Sequence, residues 1–204
     1  MRIIACMPAY KIMDVLAVRS LVAFQAEIYS RGDKLTIVFT NGYTASMGRN
    51  TMFRYAAEEE YDYVVSLDSD HVYEAQKMYD LIEKMEANNL KMLSAKYWAR
   101  SDFRLNNRTV AMGTFDKDKK FSLHIPPEDE TGIIDMDVVG LGFCVMKWDF
   151  VKMLTEKHEN LFHVNKEGHY ADDVVFCSFV KDEGERVCYD ADTKIGHIST
   201  MINI

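Results

Sequence analysis

The sequence predicts an α/β fold in which a mixed, mostly parallel central sheet is flanked by helices. Three observations carry that expectation. Through residues 1–97, short runs rich in valine and isoleucine alternate with longer segments of helical period, the order that builds parallel sheets with helices on their faces. One such run, Tyr63-Val64-Val65-Ser66-Leu67, ends abruptly in Asp68-Ser69-Asp70, and ligands of open α/β sheets sit beyond the carboxyl ends of strands. Beyond residue 98 the helical period fades and short apolar runs follow one another, which reads as a more antiparallel, mixed second half.

In chain order, residues 2–7 form a first strand closed by Pro8-Ala9-Tyr10. A helix follows, with Val15, Val18, Val22, Ala26 and Tyr29 at helical spacing and Arg31-Gly32-Asp33 as its end. Residues 35–39 make the second strand, and Asn41-Gly42 marks its exit turn. A second helix spans residues 46–60, and residues 63–67 are the third strand. A third helix shows Met78, Leu81, Ile82 and Met85 on one face and breaks at Asn88-Asn89. Residues 91–97 are a fourth strand. Residues 98–130 lack helical period, carry Arg100, Arg104 and Arg108, and hold a short strand near 121–125. Strands at 133–139 and 143–147 flank Gly140-Leu141-Gly142. Helices at 148–157 and 174–181 follow, the second opened by Asp172-Asp173, whose charges suit a helix amino terminus. Residues 187–189 and 195–198 are short closing strands, with Asp190-Ala191-Asp192 between them as a loop.

The bulk numbers narrow the function. At 204 residues and 48 % apolar content, the chain suits one domain with a sizeable core. No apolar run approaches the roughly 20 residues that span a bilayer. The opening residues 1–8 are too short an apolar run for a secretion signal and read as the first strand. A net charge of −8 argues against a nucleic-acid partner. The four cysteines form no C-x-x-C pair and read as reduced, buried thiols, which fits a cytoplasmic protein.

Asp68 and Asp70 are the focus of the chemistry. Strand alternation would point both the same way, and two carboxylates held close repel unless a cation neutralises them. A divalent-metal site at the end of a central strand follows. Carboxylate oxygens suit a divalent ion such as Mn²⁺ or Mg²⁺ rather than a thiolate-loving metal.

Four features in order, Asp68-x-Asp70, Gly140-Leu141-Gly142, Asp172-Asp173 and Ile195-Gly196-His197, resemble the GT-A glycosyltransferase superfamily. Val138-Val139-Gly140-Leu141-Gly142-Phe143 is similar to its V-x-G-x-G-F segment, Asp173-Val174-Val175-Phe176-Cys177 to its D-V-x-F-C helix start, and Ser46-Met47-Gly48-Arg49-Asn50 to the A-R-N segment of family-2-like members. Asp172 stands where that family usually has Glu, and Thr40-Asn41 where it usually has a base-reading Asp. The resemblance covers essentially the whole chain. It implies a single GT-A domain over residues 1–204, with a nucleotide-sugar-binding half at about 1–97 and an acceptor-binding half at about 98–204.

That resemblance implies metal-dependent transfer of a sugar from a UDP- or GDP-sugar to a hydroxyl on a glycan, protein or lipid-linked acceptor. Asp70, Asp68 and His197 would hold the metal, and Pro8, Ala9, Tyr10, Arg49, Asp68 and Asp70 would meet the nucleotide. Gly140 and Gly142 would let the backbone approach the acceptor. Asp173, with Asp172 beside it, would serve as general base for displacement with inversion. Plainer readings stand beside these: Asp172-Asp173 as a helix cap, His197 as a half-buried histidine, the two glycines as a turn, Arg49 as a solvated face. Three other functions fit parts of the pattern. They are a sugar nucleotidyltransferase of similar fold, a haloacid-dehalogenase-like phosphatase with Asp68 as nucleophile, and a non-catalytic nucleotide-sugar-binding module.

Overall fold

The computed structural model describes residues 1–9, 13–99, 110–118, 120–163 and 172–198. Three parallel strands open it: β1 (Arg2–Ala9), β2 (Lys34–Asn41) and β3 (Tyr63–Leu67), with β1 in the middle. The helix α1 (Val15–Ser30) joins β1 to β2, and α2 (Ala45–Glu58) joins β2 to β3. These two crossovers move in opposite directions along the sheet. Right-handed connections therefore place α1 and α2 on opposite faces. Each face gains a second helix: α1 packs on α3 (Ala75–Ala87), and α2 packs on α4 (Trp148–Lys157).

The sheet continues through β10 (Phe143–Lys147), antiparallel to both β3 and β5 (Met92–Lys96), then β11 (Cys188–Lys194) and β8 (Ile133–Asp135). The full order is β2-β1-β3-β10-β5-β11-β8, a seven-stranded mixed sheet. Ile3, Ile4, Val64, Val65, Met92, Leu93, Val145 and Met146 are fully buried, as strands covered on both faces require. A three-stranded sheet of β6 (Met112–Phe115), β7 (Phe121–Leu123) and β9 (Val138–Val139) lies beside it. Last, β4 (His71–Val72) pairs antiparallel with β12 (Gly196–His197). The expected mixed, mostly parallel central sheet flanked by helices is the fold observed.

Three local expectations change. The helical period of α1 is present, but Val15 and Val22, at 80 % and 62 % exposed, lie on its outer side, and Ala17, Leu21, Phe24 and Ile28 form the buried face. The single strand expected at 133–139 splits at Met136-Asp137. Met136 N–H donates to Val187, Asp137 accepts from the Phe115 N–H at 2.7 Å, and the chain passes from the large sheet to the small one. Asp190-Ala191-Asp192 lies within β11 rather than a loop: Asp190 is buried and paired to Lys84 at 2.7 Å and to the Thr193 hydroxyl. Arg100, Arg104 and Arg108 lie outside the described residues. The four cysteines are buried and free, as expected.

An aromatic cluster fixes the last helix, α5 (Asp172–Asp182), to the rest. Phe53 of α2, Phe162 and Phe176 of α5 meet with ring centroids 4.9, 5.0 and 6.0 Å apart. Asn50 adds two hydrogen bonds to the Phe162 backbone. Phe176→Ala is expected to lower stability by about 3–5 kcal/mol in urea unfolding, because it empties a fully buried aromatic site. A loss below about 1 kcal/mol would show that α5 is held by other contacts.

Candidate active site

Strand order reverses about β1, so the crevice beyond the carboxyl ends of β1 and β3 is where a ligand belongs. A cavity of about 750 Å³ opens there, lined by Pro8 at the end of β1, by Asp68, Ser69 and Asp70 beyond β3, and by Asp172 and Asp173 at the start of α5. That volume is within the roughly 300–1,000 Å³ of small-molecule sites. Ala9 ends β1, and Tyr10 lies outside the described residues.

Arg49 organises one wall. It sits near the start of α2, 4 % exposed, and its guanidinium gathers three carboxylates. Nη2 donates to Asp68 Oδ1 at 2.5 Å, and Nη1 donates to Asp172 Oδ2 at 2.9 Å and Asp173 Oδ1 at 3.4 Å. Arg49 was expected to meet phosphate or nucleotide. In the structure that guanidinium lines the cavity and pairs with carboxylates, because the α2–α5 packing brings residues 49 and 172 together.

Asp173 keeps 26 % of its side chain exposed, facing the cavity. Burial pushes its carboxyl up to about 7, against the opposing pull of Arg49, and the charges of Asp172 and Asp68 push the same way as burial. A carboxylate poised near neutrality suits a general base.

The other wall holds two histidines. His71 and His197 are directly opposed in the β4–β12 pair, so their side chains share a face, with ring centroids 4.7 Å apart. Ligand atoms of Asp70, His71 and His197 lie within 4.8 Å of one another, a group placed to hold a metal ion among the described residues. His71 is buried, its Nε2 has no hydrogen-bond partner, and burial pushes its pKa down to about 4, so its ring is neutral at pH 7. A carboxylate with imidazole nitrogens, one of them a buried donor atom left over, fits a divalent cation. Asp68, expected beside Asp70 and His197, turns its Oδ1 to Arg49, and the group that joins Asp70 and His197 includes His71.

The glycines are also placed differently. Gly140 and Gly142 are buried and are not among the residues lining the cavity, where an acceptor-facing backbone was expected. A Cβ at Gly140 would overlap the Tyr97 hydroxyl, and one at Gly142 would overlap the His71 ring. The Gly142 N–H donates to Tyr97 Oη at 2.8 Å, and its carbonyl meets His71 Nδ1 at 3.2 Å. The loop's glycines thus make room for side chains of the site.

Residues 20–135 match the profile of Glycosyl transferase family 2. The chain belongs to that family. The match runs from α1 to β8 and so includes Arg49, Asp68, Asp70 and His71. Asp172, Asp173 and His197 lie beyond it, and the structure brings them to the same cavity. No curated protein matches the sequence. Among solved structures, A197 from STIV is similar in fold: the TM-score is 0.62 at 17 % identity, over 97 % of this family 2 chain and 85 % of that one. Among the described residues, no helix is long and apolar enough to cross a membrane.

Sequence reasoning missed His71 and Tyr97. His71 directly follows Asp70, so the longer reading Asp68-Ser69-Asp70-His71 was the available signal. Tyr97, fully wrapped and hydrogen-bonded to the glycine loop, left no signal beyond its place at the end of β5.

Proposed function

We propose that this family 2 glycosyltransferase transfers a sugar from a UDP- or GDP-sugar to a hydroxyl acceptor, a glycan, protein or lipid-linked sugar, with inversion. It does so as a single domain, with the donor bound to residues of about 1–97 and the acceptor approaching from about 98–204. One observation carries the reading: Asp173, a carboxylate raised to about 7, lines the same cavity as Asp70 and the two histidines.

A divalent cation, Mn²⁺ or Mg²⁺, held by Asp70 and the histidines would supply Lewis-acid neutralisation of the departing diphosphate. The chain's own groups do the rest. Asp173 takes the proton from the acceptor hydroxyl as its oxygen attacks the anomeric carbon. The bond from that carbon to the diphosphate oxygen breaks, and its electron pair leaves with the nucleoside diphosphate. Arg49 holds Asp173 and Asp172 in place for that transfer, and Asp68, on the other arm of Arg49, faces the nucleotide.

Incubation with a panel of nucleotide sugars and Mn²⁺ is expected to release nucleoside diphosphate from one donor class, and Asp70→Ala is expected to abolish that release. Intact donors across the panel together with cleavage of a generic phosphate ester would overturn the reading in favour of a phosphatase.

A further inference from the structure

We infer that His71 is a direct ligand of the divalent cation, and that two imidazoles beside a single carboxylate tune the site to Mn²⁺, Co²⁺ and similar borderline ions over Mg²⁺. The inference rests on the cation-assisted reading above. Its geometry stands on hydrogen bonds that fix both rings.

The Gly142 carbonyl can only accept, so the His71 Nδ1 at 3.2 Å from it carries the proton. That leaves Nε2 as a bare lone pair. His71 is 1 % exposed, and among the described residues this atom has no partner, a costly state for a buried polar group unless a ligand completes it. His197 repeats the arrangement: its Nδ1 lies 2.9 Å from the Trp98 carbonyl, and its Nε2 faces Asp70 Oδ2 at 3.2 Å. The His197 Nε2 and the Asp70 oxygen meet directly. At that distance they need a proton or a metal ion between them. Backbone carbonyls holding the far nitrogen of each ring are the usual outer shell of metal-bound histidines.

Two further observations set the ion preference. Asp68 turns its Oδ1 to Arg49, and the carboxylate grouped with the two imidazoles is that of Asp70. Gly142 leaves room for the His71 ring, which a Cβ there would overlap, and for Asp68 Oδ2 beside it. Among the described residues, the donor set of this group is two nitrogens and one oxygen. Mg²⁺ favours all-oxygen octahedra, whereas imidazole affinity rises from Mn²⁺ to Co²⁺.

The test uses the full chain with metal alone. Electron spin echo spectroscopy of the Mn²⁺-loaded protein is expected to show two directly bound imidazole nitrogens, and one in His71→Gln. Calorimetry is expected to rank the ions Co²⁺ over Mn²⁺ over Mg²⁺. His71→Gln should weaken Co²⁺ binding by at least the roughly 10–100-fold that loss of an outer-shell partner brings, with a smaller change for Mg²⁺. Gly142→Ala, which removes no ligand atom, should weaken Co²⁺ binding in the same direction by displacing His71. A single bound nitrogen in the wild-type protein would overturn the inference and leave the transferase reading standing, and that spectrum decides even if the His71 variant does not fold. Absence of bound Mn²⁺ alongside donor turnover would overturn both the inference and the role of the cation. Absence of both would remove the transferase reading as well.

Discussion

Asp173→Asn is expected to lower turnover by about 10²–10⁴-fold while donor and Mn²⁺ affinities persist, because it removes a proton acceptor and little else. The wild-type pH profile follows from the same carboxyl. Burial holds it at about 7, against an ordinary value of 3.8. A base works deprotonated, so the rate should rise about tenfold per pH unit below 7 and level off above it. Arg49 stays charged, and burial holds the Tyr97 phenol and the Cys144 and Cys177 thiols above their usual values. The effect on stability has the opposite sign. A carboxyl whose folded pKa is raised contributes stability that is fully present below 3.8 and is lost as pH rises through about 7. The Asn variant does not pass through that loss, so its melting temperature relative to wild type should climb across this window. Initial rates and thermal melts from pH 4 to 9 check both. Full turnover in the variant, or a profile flat through pH 7, sinks the base assignment.

What could be read from the sequence follows from how local each feature is. The run from Tyr63 to Leu67 and the acidic residues after it are contiguous, and a valine-rich run ending in charge has few other meanings. Asp172-Asp173 and Gly196-His197 were legible as separate motifs. Their meeting was not, since Arg49 reaches a carboxylate 123 residues away. The α1 helix shows a different limit. Val15, Val18 and Val22 recur at helical spacing, and so do Ala17, Leu21, Phe24 and Ile28. Period alone cannot choose between two apolar stripes on one helix; the neighbours α3 and β4 choose the second. His71 was hidden because β4 and β12 have two residues each, too short for any alternation to show. A strand that short exists through its partner. The same holds for the break at Met136-Asp137, where a continuous apolar run is divided between two sheets by hydrogen bonds to Val187 and Phe115.

Arg49→Met should cost about 3–5 kcal/mol of stability in chemical unfolding at pH 7–8, the usual result of deleting one partner of a buried charge cluster. The methionine side chain fills much of the same space, so lost packing is a minor part of the expected loss. What remains is Asp68, Asp172 and Asp173 converging on a space that no longer holds a cation. Their mutual repulsion would penalise the charged forms in the folded state. The deficit should therefore shrink as pH falls and the carboxylates take up protons, and grow as pH rises. Arg49 also pulls the Asp173 carboxyl down, so any residual activity in the variant should have its inflection above 7. Asp172→Asn, introduced together with Arg49→Met, removes one of the three stranded charges and should restore part of the stability. The same change beside an intact Arg49 should lower stability. That reversal of sign in a double-mutant cycle is specific to a charge cluster. Additive effects of the two substitutions, with no pH dependence of the deficit, would mean that Arg49 acts through packing, and the division of the site into an Arg49-held acidic wall and a histidine-lined metal wall would fall with it.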